Sequence, residues 1–343
     1  MPPWLIPVNR NPTLFIRECL DLVSFLDELG YDEAWIGEHH SSGYQIIGSP
    51  ELFVSAAIER TQRIRIGTGV ISLPYHNPLM VADRIVQLDH QARGRAMFGF
   101  GQGLTPTDAA MLAINSDDKR RRMEEALEIV LRLLDGEVVT YKNDWIDIRE
   151  ATLQLAPYSI PRPEMVVASS VSTTGGANAG RHGLGMLCVA AGSTAGFDVL
   201  DENWKIANIA AGEHGYSMDR AALRLVGPIH IAPSRKQAIA EVSAGFEEWR
   251  EFIERTWTGG ASAIGMGSVE SIIEGGVGVI GTPDDALAYI ERLWAKSGGF
   301  GCMLTQVTNW ACDAATRASL KLIADKVLPE FTGREQRRIA AVG

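Results

Sequence analysis

A chain of 343 residues, 46% hydrophobic and 22% charged, has room for one large α/β barrel or two smaller domains. Its net charge of −10 speaks against nucleic acid and anionic membranes as partners, since both demand a basic footprint. No apolar run of about eighteen residues is present, so no transmembrane helix is expected. The N-terminus lacks a basic start followed by an apolar core, so a cytoplasmic location is expected rather than secretion.

Strand and helix signals alternate almost to the end, the pattern of a parallel sheet with helical crossovers. Residues 16–30 are amphipathic and stop at Gly30, a helix with its C-cap. A strand follows at 33–38. Pro50 to Arg60 reads as a helix, with Ser49 at the N-cap and Pro50 at its first position. The run 63–71 is a β-branched strand, Pro78 to Ala92 a helix, and 96–101 a strand. Lys119 to Leu134 is a strongly amphipathic helix, and 138–156 alternate around Asn143-Asp144 as a hairpin excursion.

The alternation resumes with a strand at 164–168, a helix through Arg181, a strand at 185–190 and a helix from Asp198 to His214. A strand at 222–231 and a helix from Ser234 to Trp257 follow. Residues 258–281 break the pattern and are rich in glycine, the character of a mobile lid. Thr282-Pro283 opens another helix, with Thr282 as N-cap. The last strand is 300–307, the last helix Ala314 to Leu328, and residues 333–343 form a frayed tail.

Seven barrel-type strands are thus counted, and an eighth is needed to close a barrel. Only Met1 to Val8 is available, interrupted by Pro2, Pro3 and Pro7. Either that strand is short and irregular, or Met1 lies inside a longer natural chain. The expected architecture is an α/β fold: a (β/α)8 TIM barrel forming one domain over 1–332.

The chemistry concentrates where strands end. Glu38-His39-His40 closes the first strand counted, and in such barrels the C-terminal strand ends carry the active site. Gly67 to Pro74, Phe98 to Gly103 and Ser169 to Thr174 end in the same small or polar style. The glycines from Gly99 to Gly103 are not a dinucleotide fingerprint, because no helix and acidic residue follow at the required distance. Cys19, Cys188, Cys302 and Cys312 form no Cys-x-x-Cys pair, and Cys188 and Cys302 read as buried small hydrophobes. Neither disulfides nor a metal are expected; His182 and His230 lack partners at ligand spacing.

At these residues the chain resembles the bacterial luciferase-like flavin monooxygenases, in the limonene monooxygenase-like branch. The best segments are Gly30 to His40, Gly67 to Pro78, Phe98 to Leu104 and Ala168 to Thr174, with Ile280-Gly281-Thr282-Pro283 near the end. The resemblance implies a TIM barrel that takes reduced FMN from a separate reductase and reacts it with dioxygen. A flavin C4a-peroxide would then oxygenate a small organic substrate, apolar or heteroaromatic. It also implies a homodimer through the helices after the second and third strands. Two alternatives stay open: a deazaflavin-dependent hydride-transfer enzyme on the same fold, and a non-catalytic flavin-binding protein.

The resemblance makes His39 the catalytic histidine, able to move protons or bond the flavin ring. His40 is expected to point away from it in a supporting or interface role, and Glu38 to pair structurally. Ser170, Ser172 and Thr173 match the family's phosphate-binding segment, at a helix start followed by Gly175-Gly176; an ordinary N-cap is the plainer reading. Ser169 stands where the family usually has Glu, and Gln102 where luciferase has a phosphate-contacting arginine. Arg181 could assist the phosphate or simply be solvated. Gly69-Val70 matches a non-prolyl cis peptide of the family, against the alternative of a β-bulge. Gly101 replaces a reactive cysteine of luciferase and is expected to leave space beside the flavin. Trp4, Trp35, Tyr44, Tyr75, His76 and Met266 are candidates to line an apolar pocket.

Overall fold

Parallel strands alternating with helices run through the computed structural model, which describes residues 11–41, 43–256 and 260–333. Two compact units are present, one formed by residues up to Glu28 with Asp32–Ala168, the other by Leu29–Tyr31 with residues from Ser169 onward.

The first unit runs α1 (Pro12–Leu29), β1 (Glu33–Ile36), α2 (Pro50–Ile58), β2 (Arg65–Ser72), α3 (Pro78–Ala92) and β3 (Ala96–Gly101). It continues with α4 (Pro106–Met111), α5 (Lys119–Leu134), β4 (Val139–Lys142), β5 (Asp147–Ala151) and β6 (Glu164–Ser169). Strands β1, β2, β3 and β6 pair in that order, all parallel. Gly30, at φ +83°, ends α1 as its sequence predicts. Asp27, in the last turn of α1, accepts the backbone N–H groups of Gln62, Arg63 and Ile64 at 2.7–3.0 Å and ties the helix to the start of β2. The apolar strand β3 is buried along its whole length, as a central parallel strand should be. Its Gly99, with Gly67 of β2, makes room for the Trp35 indole: a Cβ on Gly67 would lie 2.6 Å from that ring. Trp35 is therefore packed on glycines rather than free to line a pocket. The hairpin β4–β5 forms as expected, its turn held by Asn143 Oδ1, which accepts the N–H groups of Trp145 and Ile146.

The second unit contains α6 (Thr174–Arg181), β7 (Gly185–Cys188), α7 (Thr194–Asp198), α8 (Leu200–Glu213), β8 (Leu223–Ile231) and α9 (Arg235–Thr256). Then come α10 (Gly260–Ala263), α11 (Val269–Gly275), β9 (Val279–Gly281), α12 (Pro283–Ser297), β10 (Cys302–Gln306) and α13 (Asp313–Leu322), which winds into a π-helical turn at Ile323–Val327. Strand β8 pairs in parallel with β7, β9 and β10. Helices α6 and α8 approach closely because Gly176 and Gly180 carry no side chain; a Cβ on Gly180 would lie 2.0 Å from the Ala207 carbonyl oxygen.

Several expectations need correction. Residues 258–281 are not an unpatterned lid, although 257–259 lie outside the described residues. Ser268 and Ser271 cap α11 reciprocally, β9 pairs with β8, and Ile272, Val277 and Ile280 are buried. The helix expected over 198–214 is α8, and a short helix not expected from the sequence, α7, precedes it. Cys302 is only half-buried, whereas Cys188 is buried and its thiol is pushed up to about 12. The strand expected at Met1 to Val8, Trp4, and the tail beyond Gly333 lie outside the described residues. Among the described residues no helix is long and apolar enough to cross a membrane.

Candidate active site

The end of β1 leads into Gly37-Glu38-His39-His40, and the end of β2 runs beside it. The Gly69–Val70 peptide is cis, and the β2–β3 register shifts between Thr68 and Ile71, so the cis peptide and an irregularity of the strand occur together. A Cβ on Gly37 would lie 3.5 Å from His39 Nε2 and 3.6 Å from the Gly69 carbonyl oxygen. His39 and Gly69, predicted from separate motifs, thus converge on one point. Val70 fills the space next to Gly101: a Cβ there would meet Val70 Cγ2 at 2.7 Å. The expectation that Gly101 leaves open room is therefore wrong; the glycine is required by Val70. Gln102 follows on the exposed side.

His39 Nδ1 faces Thr105 Oγ1 at 3.3 Å and Asp108 Oδ2 at 3.8 Å. Burial pushes its pKa down, while the charges of Asp108 and Glu38 act in the opposite direction. The net result favours a neutral imidazole, the form able to accept a proton.

Glu38 has its side chain 1% exposed and organises the groups behind His39. One carboxylate oxygen accepts from His40 Nε2 at 2.9 Å and His76 Nε2 at 2.6 Å, and the other accepts the Ser72 N–H at 2.5 Å. Burial alone would raise its pKa. The bonds from His40 and His76, the His76 charge and the Ser72 N–H outweigh that and bring it down to about 2. His40 is correspondingly raised, chiefly by its bond to Glu38 and against burial. Glu38 is thus the structural anchor expected of it, and His40 turns to Glu38 while His39 turns to Thr105. His76 belongs to the same network rather than to a pocket wall. Tyr75 Oη is buried without a hydrogen-bond partner and packs on Gly103, which sits at φ +77°.

Sequence reasoning missed Thr105, Asp108 and the role of His76. A signal for the first two exists: Thr105-Pro106-Thr107-Asp108 has the same N-cap pattern as Thr282-Pro283-Asp284-Asp285. In α12 that pattern closes on itself, Thr282 and Asp285 capping each other reciprocally. In α4 Thr105 makes no capping bond. Its hydroxyl faces His39, and the Asp108 carboxylate accepts the His40 N–H at 3.1 Å and the Ser41 hydroxyl.

In the second unit, Ser170, Ser172 and Thr173 lie between β6 and α6. Thr173 occupies the N-cap position and makes no side-chain capping bond. Arg181 is exposed at the far end of α6. His230 is paired with Glu241 at 2.8 Å. Among the described residues no cluster of three His, Cys, Asp or Glu could hold a metal ion.

The family model for luciferase-like monooxygenases matches residues 7–299. Limonene 1,2-monooxygenase of Rhodococcus erythropolis is 46% identical over 332 residues, covering 96% of this chain and 85% of that protein. The 4-hydroxyprotoasukamycin monooxygenase of Streptomyces nodosus subsp. asukaensis is 39% identical, covering 96% of this chain and 90% of its own. Among solved structures, the oxygenating constituent of 3,6-diketocamphane monooxygenase from Pseudomonas putida, a type II Baeyer–Villiger enzyme in complex with FMN, superimposes with a TM-score of 0.80. It is 23% identical and the match covers 95% of this chain and 96% of that one, so it shows the fold: the luciferase-like α/β type with a mostly parallel sheet. With a family model matching residues 7–299 and oxygenases as relatives over nearly its whole length, the chain belongs to the luciferase-like monooxygenases rather than to the deazaflavin enzymes considered as an alternative.

Proposed function

We propose that this protein is the oxygenase of a two-component system: it takes reduced FMN from a separate flavin reductase and uses dioxygen to oxygenate a small organic molecule. The observation that carries the reading is the placement of the strand-end His39 and the Gly69 carbonyl on either side of Gly37, in a chain 46% identical to limonene 1,2-monooxygenase.

The donor set fits a flavin phosphate. The hydroxyls of Ser170, Ser172 and Thr173 stand before the N-terminal N–H groups of α6, and Thr173 does not spend its own on a cap, the chemistry a dianion needs. Ser170, Ser172 and Thr173 would hold the phosphate; Gln102 stands where luciferase has a phosphate-contacting arginine. Gly69, Val70 and His39 would meet the flavin ring. Bound reduced flavin supplies the electrons that activate dioxygen. His39 holds or accepts a proton through Nε2 while its Nδ1 stays against Thr105.

The substrate is taken to be apolar and of monoterpene size. Leu104, Met111 and Leu112, next in the chain to the Thr105–Asp108 segment that approaches His39, are exposed apolar side chains. A homodimer through α2 and α3 is consistent with Leu52 and Met80, exposed by 75% and 52% on those helices. A cytoplasmic location follows from the need for reductase and reduced flavin. Anaerobic titration tests the reading: tight binding of reduced FMN, and much weaker binding of a reduced deazaflavin, is expected. Preference for the deazaflavin, or binding of neither, would overturn it.

A further inference from the structure

We propose that Asp108 and Thr105 are positioning residues that hold the proton of His39 on Nδ1 and leave Nε2 bare as the proton acceptor. The proposal deepens the oxygenase reading and rests on it for the importance of His39, but its geometry stands alone. The two helices α4 and α12 open with nearly the same residues, Thr-Pro-Thr-Asp and Thr-Pro-Asp-Asp. In α12 the threonine and aspartate satisfy the helix itself. In α4 both side chains are diverted from capping to the β1–α2 loop: Thr105 to the His39 ring, Asp108 to the His40 N–H and the Ser41 hydroxyl.

Asp108 decides the tautomer: the Thr105 hydroxyl can either accept from an Nδ1–H or donate to a bare Nδ1, whereas the Asp108 carboxylate 3.8 Å away stabilises a proton on the nitrogen that faces it, and Thr105 then accepts from that N–H. Nε2, on the side of Gly37 and the Gly69 carbonyl, has no hydrogen-bond partner among the described residues. The titratable groups acting on His39 are Asp108 from α4 and Glu38 and His40 from its own segment. Of these, Glu38 is engaged with His40, His76 and Ser72. Asp108 also holds the loop in place, so loop geometry and ring protonation are set by the same carboxylate.

The test reads His39 directly, in the protein without flavin, by nitrogen-15 and carbon-13 NMR of labelled histidine. In the wild type the Nδ1–H tautomer is expected. Asp108→Asn, which keeps an acceptor oxygen for the His40 N–H but loses the charge, should lower the His39 midpoint by about one pH unit. Thr105→Val, nearly isosteric at a buried position, should raise the Nε2–H fraction, and Thr105→Ser should restore the wild-type tautomer. An Nε2–H tautomer in the wild type, or a midpoint and tautomer unchanged in both Asp108→Asn and Thr105→Val, would overturn the proposal. Reduced FMN binding measured on the same samples reports separately on the oxygenase reading.

Discussion

Removing the charge of Glu38 should unlock the loop that carries His39, and the size of the effect can be worked from its surroundings. The carboxyl is held at about 2 against an ordinary 4.5. At about 1.4 kcal/mol for each tenfold change in acidity, that preference for the charged form is worth about 3 kcal/mol of folding stability. Glu38→Gln keeps the shape but turns one oxygen into an NH2 group, which must face either the Ser72 N–H or the two histidine nitrogens. Complete truncation would leave buried donors unpaired and cost about 3–5 kcal/mol. The pH dependence has a definite sign. A carboxyl with a lowered pKa contributes fully above 4.5, and the contribution is lost as pH falls toward about 2. His40, with a raised pKa, contributes below 6.5, and that part is lost as pH rises through its higher value in the folded protein. Urea unfolding of wild type and Glu38→Gln should therefore differ most between pH 4.5 and 6.5, by about 3 kcal/mol, and less at either side. A difference below about 1 kcal/mol at pH 5.5, or one that does not shrink by pH 3, would refute this reasoning.

Further predictions follow from single positions. Gly103→Ala combines φ +77° with a Cβ 2.1 Å from Tyr75 Oη and should cost at least about 2 kcal/mol. Gly212→Ala, in α8 with nothing within 4 Å, should stabilise by up to about 1 kcal/mol; thermal unfolding of both variants checks the pair. Ser172→Ala with Thr173→Ala should weaken anaerobic binding of reduced FMN by about tenfold or more without changing the unfolding temperature, a calorimetric measurement. His39→Gln should retain reduced FMN binding and lose oxygenation by about a hundredfold or more, read as product formed against flavin oxidised.

The parts of this protein that could be read in its sequence are those set by neighbours along the chain. Thr282-Pro283 and Gly30 announce helix ends because a cap is made from residues a few positions apart. The hairpin at 139–151 shows as alternation around Asn143 for the same reason. His39 is legible as a strand-end residue and Gly69 as a cis-peptide or bulge position within the strand at 63–71, but that both lie against Gly37 is a tertiary fact. The β9 strand escaped because three residues, Val279–Gly281, are too few to show a period, and their pairing to β8 is a tertiary fact. Asp108 and His76 escaped because they act on a loop 68 and 38 positions away. The Thr-Pro-x-Asp pattern marks α4 as a helix but says nothing about side chains that abandon the cap. Gly101 was misread because an absent side chain suggests space, and only the fold shows Val70 occupying it.

The measurement that bears most directly on the central claim is a single turnover under labelled dioxygen. The protein is loaded anaerobically with reduced FMN, mixed with oxygen-18 gas and a panel of monoterpenes, and the products are weighed by mass spectrometry. Incorporation of one oxygen-18 atom per product molecule, and none from labelled water, is the predicted result. Oxidation of the flavin with all the dioxygen reduced to hydrogen peroxide and no substrate oxygenated, or product oxygen drawn from water, would contradict the account.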